Sequence, residues 1–472
     1  MTVMETVTTA GFRSPAKDAP WRTELTQTLK LATPMAATQL GQIAMMTTDL
    51  ALLGRLGDHV VAGAALAHTV LFAAYTLGMG LVSAVAPLAS QAFGARKPRF
   101  VRRAVRVGVW AALAAGVPLT ALQLWSEDIL LALGQPPASA ELAGRYLLGL
   151  SWCLVPSWIF IALRNFMSAV NRPEPALWIT LAAIPLNGLL AYGLIHGAFG
   201  LPRLDILGAG LATTVINVAM CAAAVWFAYT RHPFKKYRVL GRLWRADWAL
   251  FGRLLLVGLP ISGAFLLEFG LFAAAALLMG RIGNVALAAH AIALQTAAIL
   301  YMVPFGISLA ATVRVGQAVG RRDAEATRRA GFAAVGLAAV FMAAMTLSVV
   351  VFRDTVPLLF LGSETPARDT VALAATLLLL GATFSITDGV QSVAAGALRG
   401  LNDTRVPLLI AAFSFWVAGF AMSYVLGFPL GLGAVGVWIG LSIGTAVFAL
   451  LLLWRFQALT RAGYMPAVPG PP

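Results

Sequence analysis

Long apolar stretches recur along almost the whole chain, and they limit what it can fold into. Twelve such stretches follow one another between residues 28 and 455. Each has roughly 20 residues or more, which is enough to cross the hydrocarbon core of a bilayer as a helix. Charged residues make up only 11% of the chain, whereas an ordinary globular domain carries about 25%. The sequence therefore predicts an all-α membrane protein with about 12 transmembrane helices.

The predicted helices cover residues 28–53, 62–90, 104–125, 144–168, 175–198, 207–230, 250–280, 284–318, 330–352, 370–397, 405–427 and 432–455. The second, eighth and tenth are longer than a bilayer requires, which indicates tilt or kinks. Residues 1–27 lack the apolar core of a cleavable signal, and we expect them to form a cytoplasmic tail. Residues 458–472 are the second predicted cytoplasmic tail. Cys153 and Cys221 lie inside predicted helices, which argues against a disulfide framework or a Cys-based metal site.

The net charge of +15 is distributed as in a membrane protein. If the N-terminus is inside, 28 of the 34 Lys and Arg residues fall in tails, inner loops or inner helix ends. The positive-inside rule then predicts both termini in the cytoplasm. The location that we expect is the inner membrane of a bacterium. The basic clusters at 95–103 and 231–245 are expected to contact anionic lipid headgroups. Nucleic acid is not an expected partner.

The chain is an internal repeat of two halves. Six predicted helices (28–230) precede the basic linker 231–249, and six follow it (250–457). GLVSAVAPLASQAFGARKPRFVRRA (80–104) aligns without gaps on GISLAATVRVGQAVGRRDAEATRRA (306–330), with nine identities in 25 positions. Two weaker similarities between the halves match ALRNFMSAVNRPEP (162–175) with ALRGLNDTRVP (397–407) and LGAGLATT (207–214) with LGAVGVWIG (432–440). Repeats of this kind place a transport path at the interface between the halves.

These observations favour a transporter with two pseudo-symmetric six-helix lobes around a central cleft. GLSIG (440–444) matches a nucleophile pattern, but it lies inside a predicted membrane helix, where its small residues suit close helix packing. Zinc-protease, P-loop and dinucleotide-binding motifs do not occur in the sequence. The protein is therefore not expected to be an enzyme or to need a cofactor, and an ion gradient is the expected energy source.

Glu268 is the only charge in the apolar run 260–280. A carboxylate at mid-membrane costs about 2.5–3.5 kcal/mol on insertion scales, so it usually faces a cavity or a partner. Glu268 is therefore a candidate for holding a proton, a metal cation or an organic cation. A structural Glu that pairs with a polar neighbour is the alternative.

Asp388 is the second deep acid. Thr387 precedes it and Gln391 lies one turn on, so one helix could offer several of the oxygen ligands that hard cations prefer. Pairing with Arg399 is the structural alternative, but eleven residues span ~16 Å along a helix. Simple counting places Asp388 nearer the cytoplasm than Glu268. The two acids can share an ion only if the tenth helix is long, bent or tilted.

Further polar residues lie in other predicted helices. Asp49 is a candidate for the ion or substrate cavity, with an interfacial pair to Arg55 as its alternative. Asn187 either ties two helices together or lines the N-terminal cleft. A structural role is the expected one for His68, His290 and Gln295, and Gln295 is also a candidate for the cavity wall.

Four stretches together carry a resemblance to a known family. They are LLEFGLFAAAALLMG around Glu268, ALAAHAIALQ (286–295), VRVGQAVGRRD (313–323) and TDGVQSVAAGALRGLNDTR (387–405). The chain resembles the NorM-like branch of the MATE (multidrug and toxic compound extrusion) family from about residue 28 to 455. The resemblance implies cation-coupled antiport of varied, often cationic and lipophilic drugs.

The resemblance also implies roles for single residues. Glu268 and Asp388 match the two acids of the C-terminal lobe that NorM-like proteins use for the coupling ion. Asp49 matches the acid on the first helix that lines the N-lobe cavity, and Asn187 matches the second Asn of an N-x-x-x-N pattern. The first Asn of that pattern is Ala183 here, which removes a ligand from an N-lobe ion site.

A second departure concerns the tenth helix. A Tyr that is common one turn before its acid is Phe384 here, so this chain lacks one possible ligand, which argues against a sodium site identical to the family's best-known examples. The residues leave Na+ and H+ open as the coupling ion, and the resemblance favours Na+ slightly. The alternatives are a lipid-linked precursor flippase of the same superfamily and a non-transporting membrane receptor. The protein is predicted to be a monomer.

Overall fold

The structure is a computed structural model that describes residues 21–54, 56, 58–239, 241–245, 247–361 and 368–466. Its described part is helical, without a strand. The long helices, α1 to α12, are Trp21–Gly54, Gly63–Gly94, Pro98–Leu124, Pro137–Ala169, Glu174–His196, Asp205–Thr230, Trp248–Ile282, Asn284–Gly320, Ala324–Val351, Arg368–Gly400, Arg405–Gly427 and Gly433–Arg461.

Within the described residues, α2 to α12 are the eleven helices long and apolar enough to cross a membrane. The first helix, α1, has 34 residues and is also long enough, but it is richer in Thr and Gln. The predicted all-α membrane fold with about 12 spanning helices is confirmed. Most of the chain therefore packs as helix on helix, and each half contributes six.

Several helices begin earlier than hydropathy predicts. α1 begins at Trp21 rather than 28, α3 at Pro98 rather than 104, and α4 at Pro137 rather than 144. The predicted tail 1–27 is therefore helical over 21–27, and residues 1–20 lie outside the described part. An apolar window marks only the part of a helix that suits hydrocarbon. The polar turns that continue these helices toward the membrane surface are missed for that reason.

The linker between the halves is held against the N-half. Arg103 on α3 pairs with Asp247 at 2.5 Å, and the Trp110 indole donates a hydrogen bond of 2.8 Å to the Leu243 carbonyl. Asp247 also caps the first turn of α7 by accepting from the Leu250 amide. The Arg103 hydrogen bond lowers the pKa of Asp247 below its usual range. The stability gained from this carboxylate is present above its unfolded pKa and is lost as the pH falls through the folded value.

Three apolar clusters form the core. The first belongs to the N-half and includes the start of α7, and the second lies within the C-half. The third joins Leu31 and Met35 of α1 to α8 and α9. The cross-half hydrogen bonds and ion pairs described below and the linker lie toward one end of the bundle, which also holds the basic segments 95–103 and 231–245. We refer to it as the basic end.

The aligned glutamines of the two repeats make equivalent contacts at the basic end. Gln91 on α2 donates from Nε2 to the Gly400 carbonyl at 2.9 Å and accepts from Asn402 Nδ2 at 2.8 Å. Both partners belong to the end of α10, in the other half. Asn402 lies just past that helix with a left-handed φ of 58°.

Gln317 on α8 makes the mirror contact with the end of α4. Its Nε2 donates to the Ala169 carbonyl at 3.0 Å and to Asn171 Oδ1 at 2.9 Å. Asn171 also has a left-handed φ, of 60°. We refer to the two arms, Gln91 with Gly400 and Asn402, and Gln317 with Ala169 and Asn171, as the crossed contact. In the structure Asn171 and Asn402 therefore occupy equivalent positions. This equivalence differs by four residues, about one helical turn, from the alignment of the two ALR triplets in the sequence.

Two glycines let the crossed contact close. A Cβ on Gly94 would lie 2.1 Å from the Gln317 carbonyl oxygen, and one on Gly320 would lie 2.1 Å from that of Gln91. Both are positions that the sequence repeat identifies as equivalent. Glycine is required here because two backbones approach closely at the crossing of α2 and α8.

Gly94→Ala is expected to force the basic ends of the two halves apart, because its Cβ overlaps the Gln317 carbonyl. The measurement is maleimide labelling of a cysteine at Ser90, a fully buried residue beside Gly316, in a variant without Cys153 and Cys221. We expect labelling at least about tenfold faster than without the Gly94 change, corresponding to about 1.4 kcal/mol. Gly336→Ala is the matched control, since a Cβ there meets nothing within 4 Å. Equal labelling rates in the two glycine variants would contradict this interpretation.

Candidate functional site

The two deep acids of the C-half share one amide. Gln391 Nε2 on α10 donates to Glu268 Oε1 on α7 at 2.9 Å and to Asp388 Oδ1 at 2.7 Å. Asp388 and Gln391 lie one turn apart on α10, so their side chains point the same way. The sequence analysis required a long, bent or tilted tenth helix for the two acids to share an ion. α10 has 33 residues and contacts α7 through Gln391 and Glu268. The structure therefore brings Glu268 and Asp388 together through Gln391.

The amide that joins the acids has a free acceptor. Gln391 Oε1 is buried and has no hydrogen-bond partner among the described residues. Buried amide oxygens in proteins normally have a partner. An unpaired carbonyl oxygen next to two carboxylates is a set of oxygen donors suited to a hard cation. The Gln391 carbonyl oxygen could equally accept a hydrogen bond from a protonated carboxyl group.

A small cavity opens beside Glu268 and Gln391. Its wall contains Tyr301 of α8, whose hydroxyl donates to Ser392 Oγ at 3.2 Å. Sequence reasoning missed Tyr301, although the repeat alignment extended backward pairs it with Tyr75 of the N-half. Apolar wall residues come from α7, α11 and α12, so the cavity lies inside the C-half.

The cavity also contains a cation that the sequence analysis considered only as a partner of Asp388. Arg399 lines the cavity, and its guanidinium lies over the Phe265 ring, 4.7 Å from the centroid. Among the ion pairs of the described residues, none joins Arg399 to Asp388, in agreement with the ~16 Å that eleven residues span along a helix. Arg399 instead faces the cavity that Glu268 lines from α7.

Two predicted site residues lie elsewhere. The Thr387 hydroxyl lies 2.9 Å from that of Thr445 on α12 and also donates to the Thr383 carbonyl. It is therefore not part of the cluster around Gln391. Gln295 is exposed on α8 and does not line the cavity.

The N-half holds its own buried carboxylate. Asn187 Nδ2 on α5 donates to Asp49 Oδ1 at 2.5 Å, and the Thr213 hydroxyl on α6 donates to Asp49 Oδ2 at 2.9 Å. The structure therefore brings Asp49 and Asn187 together, and adds Thr213, which the sequence analysis did not single out. Arg55, the alternative partner of Asp49, lies outside the described residues. Ala183 is buried one turn from Asn187 and offers no polar atom.

The remaining polar candidates have packing roles or no contact with either acid cluster. His290 accepts through Nδ1 from the Trp438 indole at 3.2 Å, in agreement with the structural role predicted for it. Phe384 is buried against Phe272 and Trp438, so it fills space rather than offering a ligand. His68 is half-buried and belongs to neither acid cluster. Among the described residues, no three His, Cys, Asp or Glu side chains form a metal cluster.

Comparisons with known proteins give a consistent result. The MatE family model matches residues 34–193 and 260–425. A probable multidrug resistance protein NorM of Rhodopseudomonas palustris is 63% identical over 459 residues, covering 97% of each chain. A protein of the same name from Bradyrhizobium diazoefficiens is 57% identical, covering 93% of this chain and 94% of that one.

Solved structures share the fold. A eukaryotic MATE transporter, AtDTX14, superposes with a TM-score of 0.84 at 21% identity, covering 94% of this chain and 98% of that chain. An outward-facing multidrug resistance MATE family transporter of the MOP superfamily superposes with a TM-score of 0.85 at 20% identity, covering 94% and 97%. At these identities the likeness concerns the fold alone.

Proposed function

Because the chain belongs to the MATE family and is a multi-pass membrane transporter for multidrug efflux, we propose that it works as a secondary antiporter. It exports cationic, lipophilic compounds, and Na+ or H+ enters in exchange. The coupling cation binds at Glu268 and Asp388. The organic cation occupies the cavity beside them.

The observation that carries this proposal is the pair of carboxylates joined by Gln391. Two carboxylates at one buried site repel each other, and each is costly at mid-membrane. A bound cation or proton relieves both costs. The site therefore prefers to be occupied, and a coupling ion and an organic cation compete for the same negative charge. Competition of this kind is what an exchanger requires.

The crossed contact at the basic end supports an order of events. In our proposal it closes a cleft between the halves at that end, and the drug leaves through the opposite end. The incoming ion neutralises the acids at this stage and releases the drug. Opening of the basic end then discharges the ion and admits the next drug. The scheme is alternating access between two repeats.

Orientation follows from the charge distribution. We propose that the basic end faces the cytoplasm of a bacterium and that both termini lie there, because Lys and Arg are retained on that side of the inner membrane. The names of the relatives support efflux over a flippase or a receptor. Monomeric assembly stays a prediction.

The test of the proposal is dye flux in proteoliposomes of the purified protein. Ethidium is the probe, and sodium and proton gradients are imposed separately and in opposition. We expect flux to follow the sodium gradient at fixed pH, which would support a metal-ion site at Glu268 and Asp388. Flux that follows only the pH gradient would make Glu268 a proton carrier. Protein-free liposomes are the control, and dye movement that ignores both gradients would contradict antiport.

A further inference from the structure

Four arginines surround a single carboxylate where the linker meets α3. Arg102 and Arg103 lie four and three residues before Arg106, on the same face of the helix. Arg245 of the linker lies close enough to Arg106 for the two charges to repel each other, and Asp247 is the one acid among the charges that act on Arg106. Four guanidinium groups and one carboxylate leave a net charge of +3. We refer to the four arginines as the arginine cluster.

Arg106 is the most deeply buried member of the arginine cluster, with 7% of its surface exposed. Its Nη1 lies 3.4 Å from the Arg242 carbonyl oxygen and its Nη2 lies 3.9 Å from Asp247 Oδ2, so both contacts are long. Its Nε is buried and has no hydrogen-bond partner among the described residues. Buried donors in proteins normally have a partner. The guanidinium therefore keeps donors that a ligand with oxygen acceptors can use.

Asp247 does not supply the missing acceptor, because both of its oxygens have closer partners. Oδ2 accepts from Arg103 Nε at 2.5 Å, and Oδ1 accepts from the Leu250 amide at 3.3 Å. Arg102 shares the deficit of Arg106, since its Nε is also buried and unpaired in the part of the chain that the structure describes. Two arginines one turn apart on α3 thus have unused donors.

The equivalent place in the C-half is built differently. The sequence repeat, continued past its aligned segment, places Arg328 opposite Arg102 and Phe332 opposite Arg106. Arg328 is exposed and lies over the Phe332 ring, 5.9 Å from the centroid. Retention of positive charge on one side of the membrane explains exposed arginines in both halves. It does not explain Arg106, which is buried with an unpaired donor, and a binding role does.

Three tryptophans indicate that the arginine cluster lies at the level of the lipid headgroups. Trp110 lies one turn beyond the cluster on α3, and its indole donates to the Leu243 carbonyl at 2.8 Å. Trp244 and Trp248 lie on either side of Arg245 in the sequence, and they are 80% and 75% exposed. Exposed tryptophans concentrate at the interface between membrane and water. A phosphate that reaches the cluster at this depth is most simply part of a lipid.

We propose that the arginine cluster is a binding site for the phosphate of an anionic lipid headgroup. The unused donors of Arg102 and Arg106 bond to the phosphate oxygens, since the guanidinium fork matches phosphate geometry. Arg245 completes the site from the linker. The bound headgroup then holds the segment that connects the two halves against α3. This role goes beyond efflux and does not depend on which ion or drug is carried.

Native mass spectrometry of the purified protein in neutral detergent tests the proposal by counting bound lipids. Dioctanoyl phosphatidylglycerol is the anionic probe, and dioctanoyl phosphatidylcholine carries a phosphate whose charge its own cation balances. We expect the first phosphatidylglycerol to bind at least about tenfold more tightly than phosphatidylcholine, because several arginines attract its net charge. Arg106→Gln should weaken phosphatidylglycerol binding by about tenfold, since hydrogen bonds to a charged group are lost. Arg102→Gln should act in the same direction, and it serves if Arg106→Gln does not fold.

Arg328→Gln is the matched control, because it removes the same charge from the equivalent position of the C-half, where the arginine is exposed. We expect it to leave phosphatidylglycerol affinity within about twofold of wild type, since a remote exposed charge is screened. Equal weakening in Arg106→Gln and Arg328→Gln would reduce the cluster to general surface charge and overturn the proposal. Equal affinity of the wild type for the two lipids would overturn it as well.

Sodium phosphate distinguishes a lipid from a free phosphate as the occupant. Thermal unfolding in the same detergent measures how strongly each ligand stabilises the folded protein. We expect phosphatidylglycerol to raise the melting temperature of the wild type more than that of Arg106→Gln, and sodium phosphate at the same concentration to have no such effect. Stabilisation by sodium phosphate that equals that by phosphatidylglycerol and is lost in Arg106→Gln would overturn the lipid assignment.

Discussion

Glu268→Gln is expected to reduce ion-driven ethidium efflux to the level of protein-free liposomes while the protein stays folded. Gln has nearly the same shape as Glu, and its amide oxygen can still accept the hydrogen bond from Gln391 Nε2 that Glu268 accepts now. What is lost is the negative charge that a coupling ion and a drug would share. Removal of that charge leaves nothing to exchange, so we expect a loss of at least about a hundredfold, or about 2.7 kcal/mol.

The measurement is initial flux under an imposed gradient, with size-exclusion elution as the test of folding. Asp388→Asn should act in the same direction, since Asp388 shares the bridging amide. Thr387→Val is the control, because Thr387 is adjacent in sequence to Asp388 but bonds toward Thr445. Normal gradient-driven flux in Glu268→Gln would disprove the assigned role of the acid.

Glu24→Gln is expected to cause the largest loss of stability among single substitutions at the basic end. Glu24 on α1 accepts three hydrogen bonds of 2.7–3.0 Å from Nε and Nη2 of Arg314 on α8. Both side chains are about 10% exposed. Substitution removes the carboxylate and leaves the guanidinium buried without a counter-charge, and breaking a buried ion pair from one side typically costs ~3–5 kcal/mol.

Thermal unfolding of the purified protein in detergent measures this effect. Glu141→Gln is the matched control, because Glu141 pairs with Arg145 on the surface, where both side chains are more than half exposed. A surface pair of this kind contributes ~0–1 kcal/mol. We therefore expect a fall in melting temperature several times larger for Glu24→Gln. Equal shifts for the two variants would show that the Glu24 pair contributes no more than a surface pair.

The helical fold and the two deep acids follow from the sequence for one physical reason. Hydrocarbon excludes charge, so long apolar runs mark helices, and an isolated carboxylate inside one marks a site. Helix ends are less well determined. Trp21, Pro98 and Pro137 begin helices in polar segments that hydropathy does not distinguish from loops.

The positions that differ between the sequence-based site and the structure differ for a geometric reason. Successive side chains on a helix point about 100° apart, so Thr387 is directed away from the acid that follows it. Thr213 and Tyr301 contribute through contacts between helices, and spacing along one helix gives no measure of those. Arg399 was compared only with an acid on its own helix, whereas the cavity that it lines is bounded by α7. Which ion and which drugs are carried depends on such distances between helices.

The crossed contact has a mechanical consequence. The sequence repeat predicts a pseudo-twofold axis between the halves, and the two arms lie at equivalent positions of that repeat. A rigid rotation about such an axis that frees Gln91 from Gly400 would also free Gln317 from Ala169. The four hydrogen bonds of the contact contribute about 0.5–1.5 kcal/mol each, and they are lost in a single movement. A state in which only one arm is broken would require one of the halves to bend. The protein is therefore expected to behave as a toggle with two resting positions rather than as a hinge that opens by degrees.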